Sequence, residues 1–348
     1  MEPDAVADVG RARHGGESDR DLLDFSANTN PRRPDGVRAA YEAAIEEATR
    51  YPDDDYGDFR AAAAAFVDCD PATVHPTPGG LAALRLAMAT QLTAGDEVLL
   101  PAPSFAEYAR EARLQGAEPT FVAADAVVET DPEPYALAVV CTPNNPTGTV
   151  TEPAALRAFA ARCRAVDTVL VVDEAFLGFT DRPSLAGEPG VVVARSLTKL
   201  FGLPGIRAGF AVADGALGDD LATARRAWNC STPAVRVGAR CLQASEFVAE
   251  TRTRVAAERE RLATALSGRY DVHPSEAPYL LLAVPADAAP DAPGADAVDR
   301  VLARARDRGV AIRDARTFRR LNRHVRVAVR DESTNDRLLE AMDVRDTA

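Results

Sequence analysis

One lysine, Lys199, stands among the 348 residues, although lysine and arginine together number 40. Its setting is Arg195-Ser-Leu-Thr-Lys-Leu-Phe-Gly-Leu-Pro-Gly-Ile-Arg207, directly after a buried-looking Val191-Val-Val run. An amine at a strand end, with a hydroxyl just before it and a guanidinium one short turn beyond, suits an anionic cofactor. Ser196 can donate to a phosphate oxygen, Arg207 can pair with the same phosphate in bidentate fashion, and Lys199 can form an imine with an aldehyde. The plainer alternative, a solvated lysine beside a surface arginine, would win for an isolated lysine, and these neighbours count against it.

Three further segments carry groups of the matching kind. Asp173 closes the run Val169-Leu-Val-Val-Asp173 and so sits at the carboxyl end of a buried strand, where open α/β sheets place their ligands. A carboxylate there can hold a proton on a pyridine nitrogen, and alone it could equally be a helix cap. Cys141-Thr-Pro-Asn-Asn-Pro-Thr-Gly148 also follows an apolar run, and its Asn145 can donate an amide proton to a phenolate oxygen, although by itself the stretch could be only a turn. Thr77-Pro-Gly-Gly80 opens a helix whose free amides can cradle a dianion.

The elements that must position these groups follow from periodicity. Helices are expected over 37–50, 60–67, 80–91, 104–115 and 153–165. Short strands are expected over 97–100, 119–122, 136–141, 168–173, 191–195 and 207–212. Continuous Val/Leu runs between helices predict a mostly parallel sheet covered on both faces. Beyond it the pattern predicts a long helical stretch over 233–267, strands over 279–284, 310–313 and 325–329, a helix over 296–308 and a surface loop over 285–294. That part reads as a smaller α+β unit.

Composition narrows the function classes. A formal charge of −13 argues against a nucleic-acid partner, which needs clustered cations. No apolar run of about 18 residues is present, so no membrane helix is expected. Acidic residues near Met1 and the absence of a basic leader point to the cytoplasm. The five cysteines, Cys69, Cys141, Cys163, Cys230 and Cys241, include no C-x-x-C pair and read as free thiols, with no metal site expected. An acidic, alanine-rich, lysine-poor chain also suits a salt-rich cell interior, where self-repulsion is screened.

Taken together, the four segments resemble, in order and spacing, the aminotransferase class I/II family of fold-type I pyridoxal-phosphate enzymes. The resemblance implies an α/β fold with a large cofactor-binding domain over 45–240, built on a mostly parallel central sheet. A smaller α+β domain with an N-terminal arm would take 1–44 and 241–348. It implies pyridoxal 5'-phosphate bound to Lys199, with Asp173 on the pyridine nitrogen, Asn145 on the ring hydroxyl and Phe105 against the ring face. The phosphate would be held by Gly79, Gly80, Leu81, Ser196 and Arg207, and Phe176 would complete the cofactor wall. Arg50-Tyr51-Pro52-Asp53 matches the segment that supplies a tyrosine to the neighbouring subunit's phosphate site, so Tyr51 implies a homodimer with a shared site.

Two branches are most similar, the histidinol-phosphate aminotransferases and the threonine-phosphate decarboxylases. His14-Gly15-Gly16 with Leu22-Leu-Asp-Phe-Ser-Ala-Asn-Thr-Asn-Pro31 resembles the decarboxylase opening, as do Phe176 and Val325-Arg-Val-Ala-Val-Arg330. The expected substrate donors are His14, Asn28, Arg313, Arg326 and Arg330, a set matched to a small amino acid carrying both carboxylate and phosphate. Departures occur at Pro78-Gly-Gly-Leu81, at Trp228-Asn-Cys-Ser-Thr-Pro233 and at Pro278.

Overall fold

A computed structural model describes residues 1–12, 14–285 and 297–344. Its strands in chain order are β1 (Leu23–Asp24), β2 (Val74–Thr77), β3 (Glu97–Ala102), β4 (Glu118–Ala123), β5 (Leu137–Cys141), β6 (Val169–Asp173), β7 (Val191–Ser196), β8 (Gly209–Val212), β9 (Asp271–Val272), β10 (Tyr279–Ala283), β11 (Val310–Ala311), β12 (Arg313–Asp314) and β13 (His324–Ala328). The main sheet has seven strands in the order β2-β8-β7-β6-β5-β3-β4. The pairs from β4 across to β7 are parallel, and β8 runs against both β7 and β2.

Unbroken apolar strands are the residue-level cause of this layer. Along β5, β6 and β7, successive side chains enter two different cores: Val140, Val172 and Val193 pack on one face, and Val139, Val171 and Val192 on the other. A strand buried on both faces needs no polar alternation, and the sheet is therefore covered on both sides.

The second sheet is antiparallel, in the order β12-β13-β10-β9, with Ser245–Ser267, Ala297–Asp307 and Glu332–Ala341 as the helices of the same region. The N-terminal arm joins this region through β1, which forms a separate two-stranded sheet with β11, and through Phe25, whose backbone accepts from Ala328 and donates to Ala311. Seen this way, the arm is a wall of the smaller unit rather than a free tail.

The structure departs from expectation in several places. The stretch over 233–267 is two helices, Thr232–Leu242 and Ser245–Ser267, broken at Ala244. No glycine or proline marks the break. Its cause is tertiary: the first helix packs on Val37–Glu47 and Gly57–Val67, and the second on Glu332–Ala341. The strand expected over 310–313 divides, Val310–Ala311 pairing with the arm and Arg313–Asp314 with β13. The helix expected from 104 starts at Glu107, and β2 and the helices Gly215–Ala224 and Glu332–Ala341 went unforeseen. Of the loop expected over 285–294, everything after Pro285 lies outside the described residues. Among the described residues no helix is long and apolar enough to cross a membrane. All five cysteines are free, four of them buried.

Candidate active site

β5, β6 and β7 end side by side, and each delivers a polar group to one cavity. Register sets Cys141 beside Asp173 and Asp173 beside Ala194, so the three carboxyl ends are level. Asn145 follows β5, Asp173 closes β6, and Lys199 sits in the four-residue helical turn Leu197–Leu200 after β7. The cavity encloses about 280 Å3, and Lys199, Asp173 and Asn145 all line it. Burial, reinforced by the Arg326 and Arg207 charges, brings the Lys199 ammonium down from 10.5 to about 8. A neutral amine is therefore accessible near neutrality, as a nucleophile requires.

Asp173 is 7% exposed. Its Oδ1 accepts from the Ala175 amide at 2.9 Å and its Oδ2 from the Tyr108 hydroxyl at 2.5 Å. Burial raises its pKa, and these two donors oppose the rise. Among the described residues no cationic side chain pairs with it, so a carboxylate at the floor of a cavity lacks a counter-charge. A protonated pyridine nitrogen supplies that charge, and in this respect the site fits pyridoxal phosphate.

The phosphate end fits as well. Gly79 has φ +94°, and a Cβ there would lie 2.5 Å from Arg207 Nη2; a Cβ on Gly80 would lie 3.0 Å from Ser196 Cβ. Only glycine admits this approach, which brings the start of the Gly80–Gln91 helix against Ser196 and Arg207. The first helical amides have no intrahelical acceptor, and Gly80 and Leu81 line the cavity with Ser196 and Arg207. Ser196 Oγ shares a hydrogen bond with Thr198 Oγ1 at 2.9 Å, and Arg207 donates to the Pro78 and Pro204 carbonyls at 3.3 and 3.2 Å. Phe105 lines the cavity with its ring 5.7 Å from that of Tyr108, and Phe176 packs edge-on against Tyr279.

Opposite the cofactor end, the β12–β13 register sets Arg313 directly across from Arg326. Like charges so placed repel, and an anion between them removes the penalty. Arg326 is 4% exposed; it donates to Asn145 Oδ1 and, at 2.8 Å, to the Ser26 carbonyl, while its Nε has no partner. Burial draws its pKa from 12.5 to about 10. Arg313 donates to the His14 carbonyl at 2.9 Å and to Thr317 Oγ1 at 2.9 Å. His14 and Asn28 complete this wall, with Asn28 buried and its Oδ1 unpartnered.

Two expected residues are not brought to the cavity. Arg330 donates to the carbonyls of Thr29, Ala27 and Asp24, where it pins the arm. Tyr51 is 78% exposed and stacks on Trp228, with ring centroids 4.4 Å apart. Conversely, Tyr108, Thr198, Glu107 and Phe318 belong to the site or its support and were not foreseen. Only Tyr108 had a local signal, lying one helical turn after Phe105. Asn30 is a further unforeseen support: its backbone N–H donates to the Lys199 carbonyl at 2.9 Å and its side chain to the Leu200 carbonyl at 2.8 Å.

Known proteins give the same outline. Residues 20–342 match the family Aminotransferase class I and II. A histidinol-phosphate aminotransferase of Archaeoglobus fulgidus is 28% identical over 337 residues, 93% of each chain. The threonine-phosphate decarboxylase of Salmonella typhimurium is 32% identical, covering 94% of this chain and 92% of that one. The histidinol-phosphate aminotransferase of Sinorhizobium meliloti, solved in complex with pyridoxal-5'-phosphate, superposes with TM-score 0.79 at 22% identity, over 98% of this chain and 93% of that one. The buried acid, the single lysine and the glycine-built phosphate corner thus belong to a member of the class I/II aminotransferase family, a pyridoxal-phosphate enzyme of fold type I.

Proposed function

We propose that this enzyme decarboxylates L-threonine O-3-phosphate to (R)-1-amino-2-propanol phosphate, the aminopropanol unit of cobalamin biosynthesis, as a cytoplasmic homodimer. The observation that carries the reading is the donor wall of His14, Asn28, Arg313 and Arg326 facing Lys199 across one small cavity. A phosphorylated amino acid brings a carboxylate and a phosphate to that wall. Each charged hydrogen bond formed there contributes about 1.5–3 kcal/mol, enough in combination to hold an anion on an acidic protein. In the same reading residues 45–240 form the cofactor-binding unit and 1–44 with 241–348 the smaller one. Both boundaries fall inside helices that pack on each other, Val37–Glu47 and Thr232–Leu242. The exposed Tyr51 then reaches the phosphate corner of a second copy, and Arg330 serves the substrate by holding the arm.

Pyridoxal phosphate held by these residues would supply an electron sink for the bond broken at the substrate's α-carbon. Asp173 keeps the proton on the ring nitrogen, with Tyr108 fixing the carboxylate's direction. Arg313, Arg326 and Asn28 would hold the substrate's anionic groups and so select the carboxylate as the group lost. Lys199, with a pKa about 8, returns a proton to the α-carbon. Orientation by the donor wall, rather than a different catalytic set, separates this outcome from amino transfer.

The test is a paired assay of the purified holoenzyme. CO2 release from threonine phosphate without a keto acid supports the reading. Turnover of histidinol phosphate that requires 2-oxoglutarate, with threonine phosphate inert, replaces it with the aminotransferase alternative.

A further inference from the structure

The two arginines of the donor wall share one aromatic ring. Phe318 is buried and lines the cavity. The Arg313 guanidinium carbon lies 5.7 Å from its ring centroid, and that of Arg326 lies 5.6 Å from it. Both fall within the range at which a cation is drawn to a π face, and loss of water strengthens the attraction. A second ring, that of Tyr279, lies 5.2 Å from the Arg326 guanidinium carbon.

This wall has two difficulties before any substrate arrives. Arg313 and Arg326 stand opposite one another across the β12–β13 pair, so their charges repel. An arginine also has many rotamers, and a ligand that must order it loses part of its affinity to that ordering. A ring shared by both guanidinium groups answers both difficulties. It attracts each cation, and it restricts the positions each can take.

The ring itself is firmly placed. The Phe318 N–H donates to the Ala315 carbonyl at 3.0 Å, and the side chain packs with Leu281 and Ala315. Thr317, one residue earlier, accepts from Arg313 at 2.9 Å. The next two residues reach the main sheet. The Arg319 guanidinium carbon stands 4.0 Å from the Phe121 ring centroid, and Arg320 Nη2 donates to the Phe121 carbonyl at 3.2 Å. Phe121 belongs to β4, the edge strand of that sheet, so the turn carrying Phe318 is seated on both sheets.

We propose that Phe318 is a positioning residue for anion recognition: its ring holds the Arg313 and Arg326 guanidinium groups in place for the substrate's anionic groups. The inference rests on the phosphorylated-substrate reading above. It adds to that reading a residue that carries no charge and offers the substrate no hydrogen bond.

The experiment uses holoenzyme and follows cofactor absorbance during two separate titrations. One ligand is O-phospho-L-threonine; the other is 1-amino-2-propanol, which carries an amine but neither carboxylate nor phosphate. Phe318→Leu keeps an apolar side chain and removes the π face. It should weaken O-phospho-L-threonine about tenfold and raise KM far more than it lowers kcat. The response to 1-amino-2-propanol should stay within about twofold of the parent's, because no anion is involved. Phe318→Tyr, which keeps the ring, should recover most of the lost affinity. An unaltered absorbance spectrum before titration shows that the cofactor site of each variant is intact. If Phe318→Leu leaves the affinity for O-phospho-L-threonine in place, weakens the two ligands equally, or is matched by Phe318→Tyr, the ring only fills space. The inference is then overturned while the substrate reading stands. If the parent holoenzyme does not respond to O-phospho-L-threonine, the substrate reading falls and takes the inference with it.

Discussion

Lys199 illustrates how one side chain's surroundings decide its chemistry. The ordinary ε-amine is protonated far above neutral pH, and burial here lowers the threshold to about 8. Only the unprotonated amine attacks an aldehyde, so the rate at which apoprotein takes up pyridoxal phosphate should climb with pH and level off just above 8. Stopped-flow absorbance measures this. A rate still climbing towards 10.5, the ordinary lysine value, would show that the site does not tune the amine. Lys199 and Asp173 were legible in the sequence because each follows an apolar run that can only be a buried strand. Glu107 and Tyr108 were not. Their importance depends on contacts with His14 and Asp173 far away in the chain, and nothing local distinguishes Glu107 from the many acids of the surface.

At the scale of elements, the small antiparallel sheet has a pH liability of its own. His273, just past β9, and His324, which begins β13, place their rings 5.2 Å apart. Burial lowers the pKa of both; His273 and Arg323 lower that of His324 further, and Asp271 opposes the shift in each. Folded pKa values below the ordinary 6.5 mean that the unfolded chain takes up protons first. Stability is therefore complete above about 6.5 and declines as pH falls through that value towards the lower folded ones. The melting temperature should drop by a few degrees over this window, and His324→Gln should flatten the drop in a calorimetric series. An unchanged slope would assign the acid limb to other groups. Element identity was readable wherever period and length agreed, as in Pro153–Ala165. The break at Ala244 and the division of 310–313 were not readable, because partner elements impose them.

The whole molecule carries 53 acidic against 40 basic side chains. Many of the arginines are spent on exposed pairs such as Arg236 with Glu47 and Asp58 or Arg182 with Glu152, contacts that contribute little in water. Net self-repulsion remains, with a screening length of about 10 Å at 0.1 M salt. The melting temperature should accordingly rise by several degrees between low and molar potassium chloride. A flat response would remove the argument for a salt-rich cellular setting.

That scarcity turns the molecule into its own labelled probe. With Lys199 the one lysine, an ε-amine reagent has a single target, and a cofactor held there as an imine would shield it. Isotope-enriched lysine would give one ammonium or imine resonance with nothing to assign. A lysine-directed endoprotease would have one bond to cut, between Lys199 and the buried Leu200, in a turn that Asn30 ties to the arm. Chemistry and unfolding would thus both be reported from the same residue, without a tag or a substitution anywhere in the chain.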